Sequence, residues 1–206
     1  MNAGQRAVAA RAASTLLRYP DADVLDTVPT VRAALVEVPA GTAGPLASVA
    51  EHLAAGDPRK LAEDYVETFD FRRRCSLHLT YYTHGDTRAR GQALAELAGL
   101  YRAAGYRLDG GELPDHLPAV LELAAHAGEP GWQLLHAHRV GLDLLATALE
   151  RDGSVYAHTL AAVRRMLPSP RPGDEAAARH LAATGPPAEL VGLDPFPTHV
   201  ADGGRR

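Results

Sequence analysis

Apolar residues recur along most of this chain at three- and four-residue steps, the period of a helix that buries one face. Val8, Ala12, Leu16 and Tyr19 form the first stripe, and Pro20 closes it. A short helix capped by Asp21 or Asp23 follows and is expected to break at Pro29, and a second turn of pattern runs from Val31 to Pro39. Residues 40–45, Ala-Gly-Thr-Ala-Gly-Pro, read as a loop. Leu46, Val49 and Leu53 mark the next helix, which stops at Gly56. Asp57 with Pro58 then opens another, with Leu61, Tyr65 and Phe69 on one face.

Beyond residue 86 the period returns. Asp86 is a candidate cap for a helix with Leu94, Leu97, Tyr101 and Ala104, ending at Gly105. Pro114-Asp115 is expected to start a helix through Leu117, Val120, Leu121 and Ala124. Trp132 opens a long helix to Gly153 through Leu134, His138, Leu142, Leu145 and Leu149. Tyr156, Leu160, Val163 and Leu167 make the last strong stripe before Pro168, Pro170 and Pro172. The expected fold is all-α, a single-domain helical bundle of about seven to nine helices over residues 1–168. Residues 169–206 form a Pro/Gly-rich tail with a short helix at 174–183.

One stretch departs from this period. Between residues 70 and 86, Leu77, Leu79 and Tyr81 alternate with His78, Thr80 and Tyr82. Alternation suggests a strand, but the chain offers no partner strand and an isolated one is not stable. The segment reads as an ordered connector or short helix laid against the bundle.

Composition narrows the classes. Of 206 residues, 46% are hydrophobic, enough for a sizeable core. They are mostly Ala and Leu, which favours helices. A formal charge of −4 supplies no basic field to draw nucleic acid. One cysteine, Cys75, excludes an internal disulfide and suits a reducing, cytoplasmic compartment. No secretory leader and no run of about 18 apolar residues is present, so no stable membrane insertion is expected.

Candidate chemistry concentrates between Tyr65 and His116. His78, His84, His116, His126, His136, His138 and Cys75 raise a metal site, but their spacing matches no ligand motif, so no metal and no cofactor are expected. Cys75 beside Arg72-Arg73-Arg74 resembles an activated thiol without identifiable partners. The triple arginine reads first as a solvated loop and second as an anion or acidic-partner contact. Asp115 and His116 could act together in a small hydrolase or metal-dependent enzyme. The simpler reading makes Asp115 a helix cap, because adjacent helical residues do not face each other. Tyr65, Phe69, Leu79, Tyr81 and Tyr82 are core candidates, yet two adjacent tyrosines cannot both point inward, so one should reach a groove or surface.

Three blocks carry a resemblance: Tyr65-Val66-Glu67-Thr68-Phe69-Asp70, Leu79-Thr80-Tyr81-Tyr82-Thr83-His84-Gly85-Asp86-Thr87-Arg88, and Leu113-Pro114-Asp115-His116-Leu117-Pro118. They resemble the NarJ branch of the TorD and DmsD chaperones, the delta-type assembly chaperones of respiratory nitrate reductase. The likeness spans roughly residues 5–168, with Leu113 where the wider family has proline in its Glu-Pro-x-Asp-His signature. It implies a helical, cytoplasmic, non-catalytic chaperone, a monomer or weak homodimer. The implied partner is the apo catalytic (alpha) subunit of nitrate reductase, bound by its N-terminal peptide before membrane attachment while the molybdenum cofactor is inserted. By the same resemblance Tyr65, Phe69, Leu79, Tyr81, Tyr82, Asp86, Arg88, Glu112, Pro114, Asp115 and His116 border a peptide groove. A chaperone of another molybdoenzyme is the nearest alternative.

Overall fold

A computed structural model of the chain describes residues 1–108 and 111–187. Among these residues it is built from eleven α-helices: α1 (Ala3–Leu16), α2 (Ala22–Ala34), α3 (Ala40–Ala55), α4 (Pro58–Phe69), α5 (Leu79–His84), α6 (Arg88–Ala103), α7 (Leu117–Ala127), α8 (Glu129–Ala137), α9 (Arg139–Arg151), α10 (Ala157–Met166) and α11 (Asp174–Thr184). Two 3-10 turns, Leu35–Glu37 and Arg73–Cys75, join neighbours. For residues 1–168 the sequence calls for seven to nine helices, and ten of the eleven lie there. The connector's own helix α5 and the division of the long segment at His138 account for the higher count.

Helix α1 is the axis of the bundle, with α7 against one side and α2, α3 and α10 around the rest. Its inward face is small: Ala9, Ala10 and Ala13 are fully buried beside Leu16. Alanines let neighbouring backbones approach closely, and the approach brings the Ser14 hydroxyl to the Pro118 carbonyl, to which it donates at 2.8 Å. Leu117, Leu121, Leu135, Leu142, Leu145, Leu149 and Leu160 complete a dry leucine core. Each leucine withdrawn from water contributes about 1.5–3 kcal/mol. Gly131 serves the same closeness between α7 and α8, since a Cβ there would lie 2.3 Å from the Ala124 nitrogen.

Several local expectations are corrected. Pro29 and Pro45 do not end helices; α2 and α3 run through them. An internal proline costs about 3 kcal/mol. Burying Val24, Val28 and Val31 in α2, and Leu46, Val49 and Leu53 in α3, outweighs that cost. Residues 40–45 are therefore helical rather than a loop. The helix expected from Trp132 to Gly153 is two helices meeting at His138, across which the apolar stripe continues unbroken. Asp86 does not cap α6: Thr87 stands at that position, and Asp86 pairs with Arg90 at 3.5 Å. Other caps are as read, with Asp21 accepting from the Val24 amide at 2.9 Å and Asp57 from the Lys60 amide at 3.0 Å. The expected tail helix at 174–183 is α11, while residues 188–206 lie outside the described residues.

Candidate functional site

The connector owes its place to two backbone hydrogen bonds. The Leu79 amide donates to the Asp115 carbonyl at 3.0 Å, and the Leu117 amide donates to the Leu77 carbonyl at 2.8 Å. They form one antiparallel bridge between His78 and His116. The alternating pattern of residues 77–82 thus has a real pairing partner, but only one residue pair long. Beyond it the chain turns into α5.

This bridge delivers the Asp115 side chain to α5 rather than to its own helix. Asp115 is fully buried, and α7 begins after His116 with no side-chain cap. One carboxylate oxygen meets His78 Nδ1 at 3.0 Å. The other accepts from the Thr80 amide at 3.2 Å and from the Thr80 hydroxyl. Arg90 of α6 stands 3.7 Å away and donates its Nε to the Thr80 oxygen at 3.3 Å. Burial pulls the Asp115 carboxyl up, yet hydrogen bonds from His78 and Thr80 and the charges of His78 and Arg90 outweigh it. They leave it below its usual range. A buried carboxylate survives only when paired and bonded in this way. Asp115 is a clamp joining the connector, α5, α6 and the entry to α7.

His116 turns away from its neighbour. Its Nδ1 lies 2.6 Å from Glu112, and its ring stacks on His78 with centroids 5.2 Å apart. The hydrogen bond from His116 lowers the Glu112 carboxyl. Asp115 and His116 therefore make no dyad with each other. Glu112 is exposed and Pro114 buried. Beside them a polar recess of about 420 Å³ is lined by Arg18, Tyr101, Tyr106, Arg107, Glu112 and Glu122.

The expected aromatic wall separates into two places. Tyr65 and Phe69 belong to a buried cluster with Tyr156, edged by the exposed ring of Tyr19, with ring centroids 4.8–5.8 Å apart. The Tyr65 hydroxyl donates to the Leu17 carbonyl at 2.9 Å, and burial drives its pKa far above that of a free phenol. Tyr81 and Tyr82 lie elsewhere, on α5. Tyr82 is buried and donates to the carbonyls of Ser76 and Arg74 at 2.9 and 3.1 Å, while Tyr81 is half-buried. The two rings border a groove of about 350 Å³ with Arg73, Leu144, Thr147, Ala148 and Arg151. Of two adjacent tyrosines, one is structural and one faces the groove.

The arginine run is organised by Asp152. Arg72 and Arg74 reach its carboxylate at 2.9 and 2.8 Å, and the Arg72 bond does most to hold that carboxyl low. Cys75 is buried 3.9 Å from the same carboxylate. Burial and then the Asp152 charge raise its thiol, so it is the opposite of an activated nucleophile. Among the described residues no three His, Cys, Asp or Glu side chains are grouped to hold a metal ion. No described helix is long and apolar enough to cross a membrane.

The structure thus brings Leu79, Asp86, Glu112, Pro114, Asp115 and His116 around the clamp and its rim, with Arg88 on the first turn of α6. Tyr81 and Tyr82 sit at the adjoining groove. Tyr65 and Phe69 stand apart from both. Sequence reasoning missed Thr80, Arg90 and Asp152, and weighed His78 only as a metal ligand. Thr80 lies inside the quoted block and Arg90 two residues beyond it, but nothing in their spacing points to the Asp115 carboxylate, 35 residues on from Thr80.

A family model described as nitrate reductase delta subunit matches residues 36–162. NarJ of Bacillus subtilis is 34% identical over 162 residues, covering 78% of this chain and 88% of that protein. NarX of Mycobacterium tuberculosis, a nitrate reductase-like protein, is 42% identical over 154 residues, 74% of this chain, which spans only 23% of NarX. NarJ of Escherichia coli, a nitrate reductase molybdenum cofactor assembly chaperone, is 37% identical over 54% of this chain and 49% of its own. A redox enzyme maturation protein from Archaeoglobus fulgidus shares the fold, with a TM-score of 0.58 at 24% identity over 77% of this chain and 91% of that one. The chain belongs to the nitrate reductase delta subunit family.

Proposed function

We propose that this protein is a cytoplasmic assembly chaperone that binds the N-terminal segment of the apo catalytic subunit of nitrate reductase. It holds that subunit back from the membrane while the molybdenum cofactor is inserted. It works by binding rather than turnover. The observation that carries this reading is the family match over residues 36–162, which contains the whole clamp and the α5 and α9 walls of the groove beside Tyr81. The relatives from Bacillus subtilis and Escherichia coli are NarJ proteins.

The chemistry of the surface suits a helical peptide. Such a ligand inserts apolar side chains into a groove and anchors a few polar groups on its rim. Leu144, Ala148 and the Tyr81 ring supply the apolar wall. Glu112 and His116, paired beside the clamp, and Asp86 and Arg88, at the entry to α6, are the polar groups offered as anchors. Leu79, Tyr82, Pro114 and Asp115 are buried and hold this surface in shape, whereas Tyr65 and Phe69 sit in the separate aromatic cluster with Tyr156.

Titration calorimetry with a synthetic peptide copying the N-terminus of the cognate catalytic subunit tests the proposal. The expected result is saturable binding, weakened about tenfold or more by Tyr81→Ala and His116→Ala, as for interface anchors. Arg59→Ala, on the outer face of α4, should leave it unchanged. No heat with the native chain across a range of pH and salt overturns the reading.

A further inference from the structure

The groove beside Tyr81 already carries a helix. Leu181, Ala182, Gly185 and Pro186 form one of its walls, and α11 packs along α9. From there the chain crosses to the end of α5. There the Pro187 carbonyl lies so close to Gly85 that a Cβ on Gly85 would fall 1.7 Å from its oxygen. Gly85 has φ 56°, a conformation suited to glycine, so backbone meets backbone at this point. The segment after Pro172 therefore spans the groove from α9 to α5.

This cover is poorly made. No residue of α11 is buried, and only Asp174, Ala178 and Leu181 on one face of it are half-covered. Leu181 is the one large apolar side chain that reaches the core. Beside it the groove keeps about 350 Å³ unfilled, and α11 lines that space with Leu181 and the methyl of Ala182. A well-packed helix contact leaves few voids larger than a water molecule. A helix that fills so little, through one leucine, is a replaceable occupant.

We propose that α11 and residues 185–187 are a built-in strap that occupies the peptide groove and competes with the partner. The displacing partner is an amphipathic helix with a bulky aliphatic or aromatic side chain where α11 offers Ala182. This inference rests on the peptide-binding reading above and names where the peptide enters. A ligand that binds only the open form has its apparent affinity reduced by the fraction open. Loosening the strap should therefore tighten binding, and improving its packing should weaken it.

The test uses the full chain and two substitutions with opposite expected signs. Leu181→Asp detaches the strap, and Ala182→Leu fills the space beneath it. Calorimetry with the catalytic-subunit peptide is expected to give about tenfold tighter binding for Leu181→Asp, the factor for a native chain open about a tenth of the time. It should give weaker binding than the native chain for Ala182→Leu. Hydrogen exchange over residues 79–84 and 144–151 should be faster in the first variant and slower in the second. Equal affinities in all three chains, whatever the exchange shows, overturn the strap as a gate while leaving peptide binding intact. If no chain binds the peptide but exchange moves in the two expected directions, the strap stands and the peptide reading falls. Tighter binding by Ala182→Leu than by the native chain also overturns the proposal.

Discussion

Helix α5 takes part in two contacts built on opposite terms. Through Thr80 it holds a buried carboxylate whose two oxygens both have partners, closed in by His78, Arg90 and a backbone bridge. Through Tyr81 it borders a groove whose covering helix buries none of its residues and leaves open space. The first contact fixes geometry; the second leaves it exchangeable. A binding protein needs both, since a groove that opens is useful only if its walls stay where they are. The polar groups have gone to the fixed contact, where an unmade hydrogen bond is costly. Only weak apolar packing has gone to the exchangeable one.

The strongest way to break this contrast is Asp115→Ala. It strips His78, Thr80 and Arg90 of their common acceptor in a dry site, and denaturant unfolding should show a loss of about 3–5 kcal/mol. A loss below about 1 kcal/mol would mean that the clamp is no more rigid than the groove. Next is Gly141→Ala in α9, which pushes a methyl to within 3.0 Å of the Tyr82 ring. Overpacking of this kind costs about 1–3 kcal/mol. Because it disturbs the groove's fixed floor, peptide affinity should fall with stability.

Acid sharpens the same contrast. Asp115 titrates below its ordinary value of 3.8 in the folded chain. Its contribution is therefore complete above the unfolded value and is lost as pH falls through the lower folded one. Unfolding curves should show the native chain weakening below about pH 4. The Asp115→Asn chain should change less over the same interval, and parallel curves would remove the carboxylate from the account. The smallest expected effect is that of Arg74→Ala. Its side chain is 62% exposed, and Asp152 keeps Arg72 as a partner. A change of about 0–1 kcal/mol, shrinking with added salt, is expected.

The helices were legible because burial imposes its period on the sequence, and the caps at Asp21 and Asp57 because a side chain bonds an amide three residues on. Pro29 and Pro45 misled because a local rule was set against packing that only the assembled bundle supplies. The break at His138 left no trace because the apolar stripe crosses it. Within the site, Tyr81 and Tyr82 could be divided in advance into one buried ring and one facing the groove. The turning of Asp115 toward His78 and Thr80 could not. Capping an adjacent helix and clamping a distant one ask for the same residue, and local sequence does not distinguish them. The contact of α11 with α9 was likewise invisible, for one leucine among alanines is too faint a stripe to name its neighbour.

The bridge between His78 and His116 has a consequence for how the molecule opens. Its two hydrogen bonds pin the ends of an excursion that contains α5 and α6. Tyr101 is the only fully enclosed side chain of α6, which rests chiefly on α5. With both ends clasped, α6 can melt and re-form without disturbing the leucine core, a cooperative unit of its own that unfolds well below the global free energy. Its amides should therefore be the first of the long helices to lose protection in native-state exchange, while those of α1 and α7 wait for the whole chain to open.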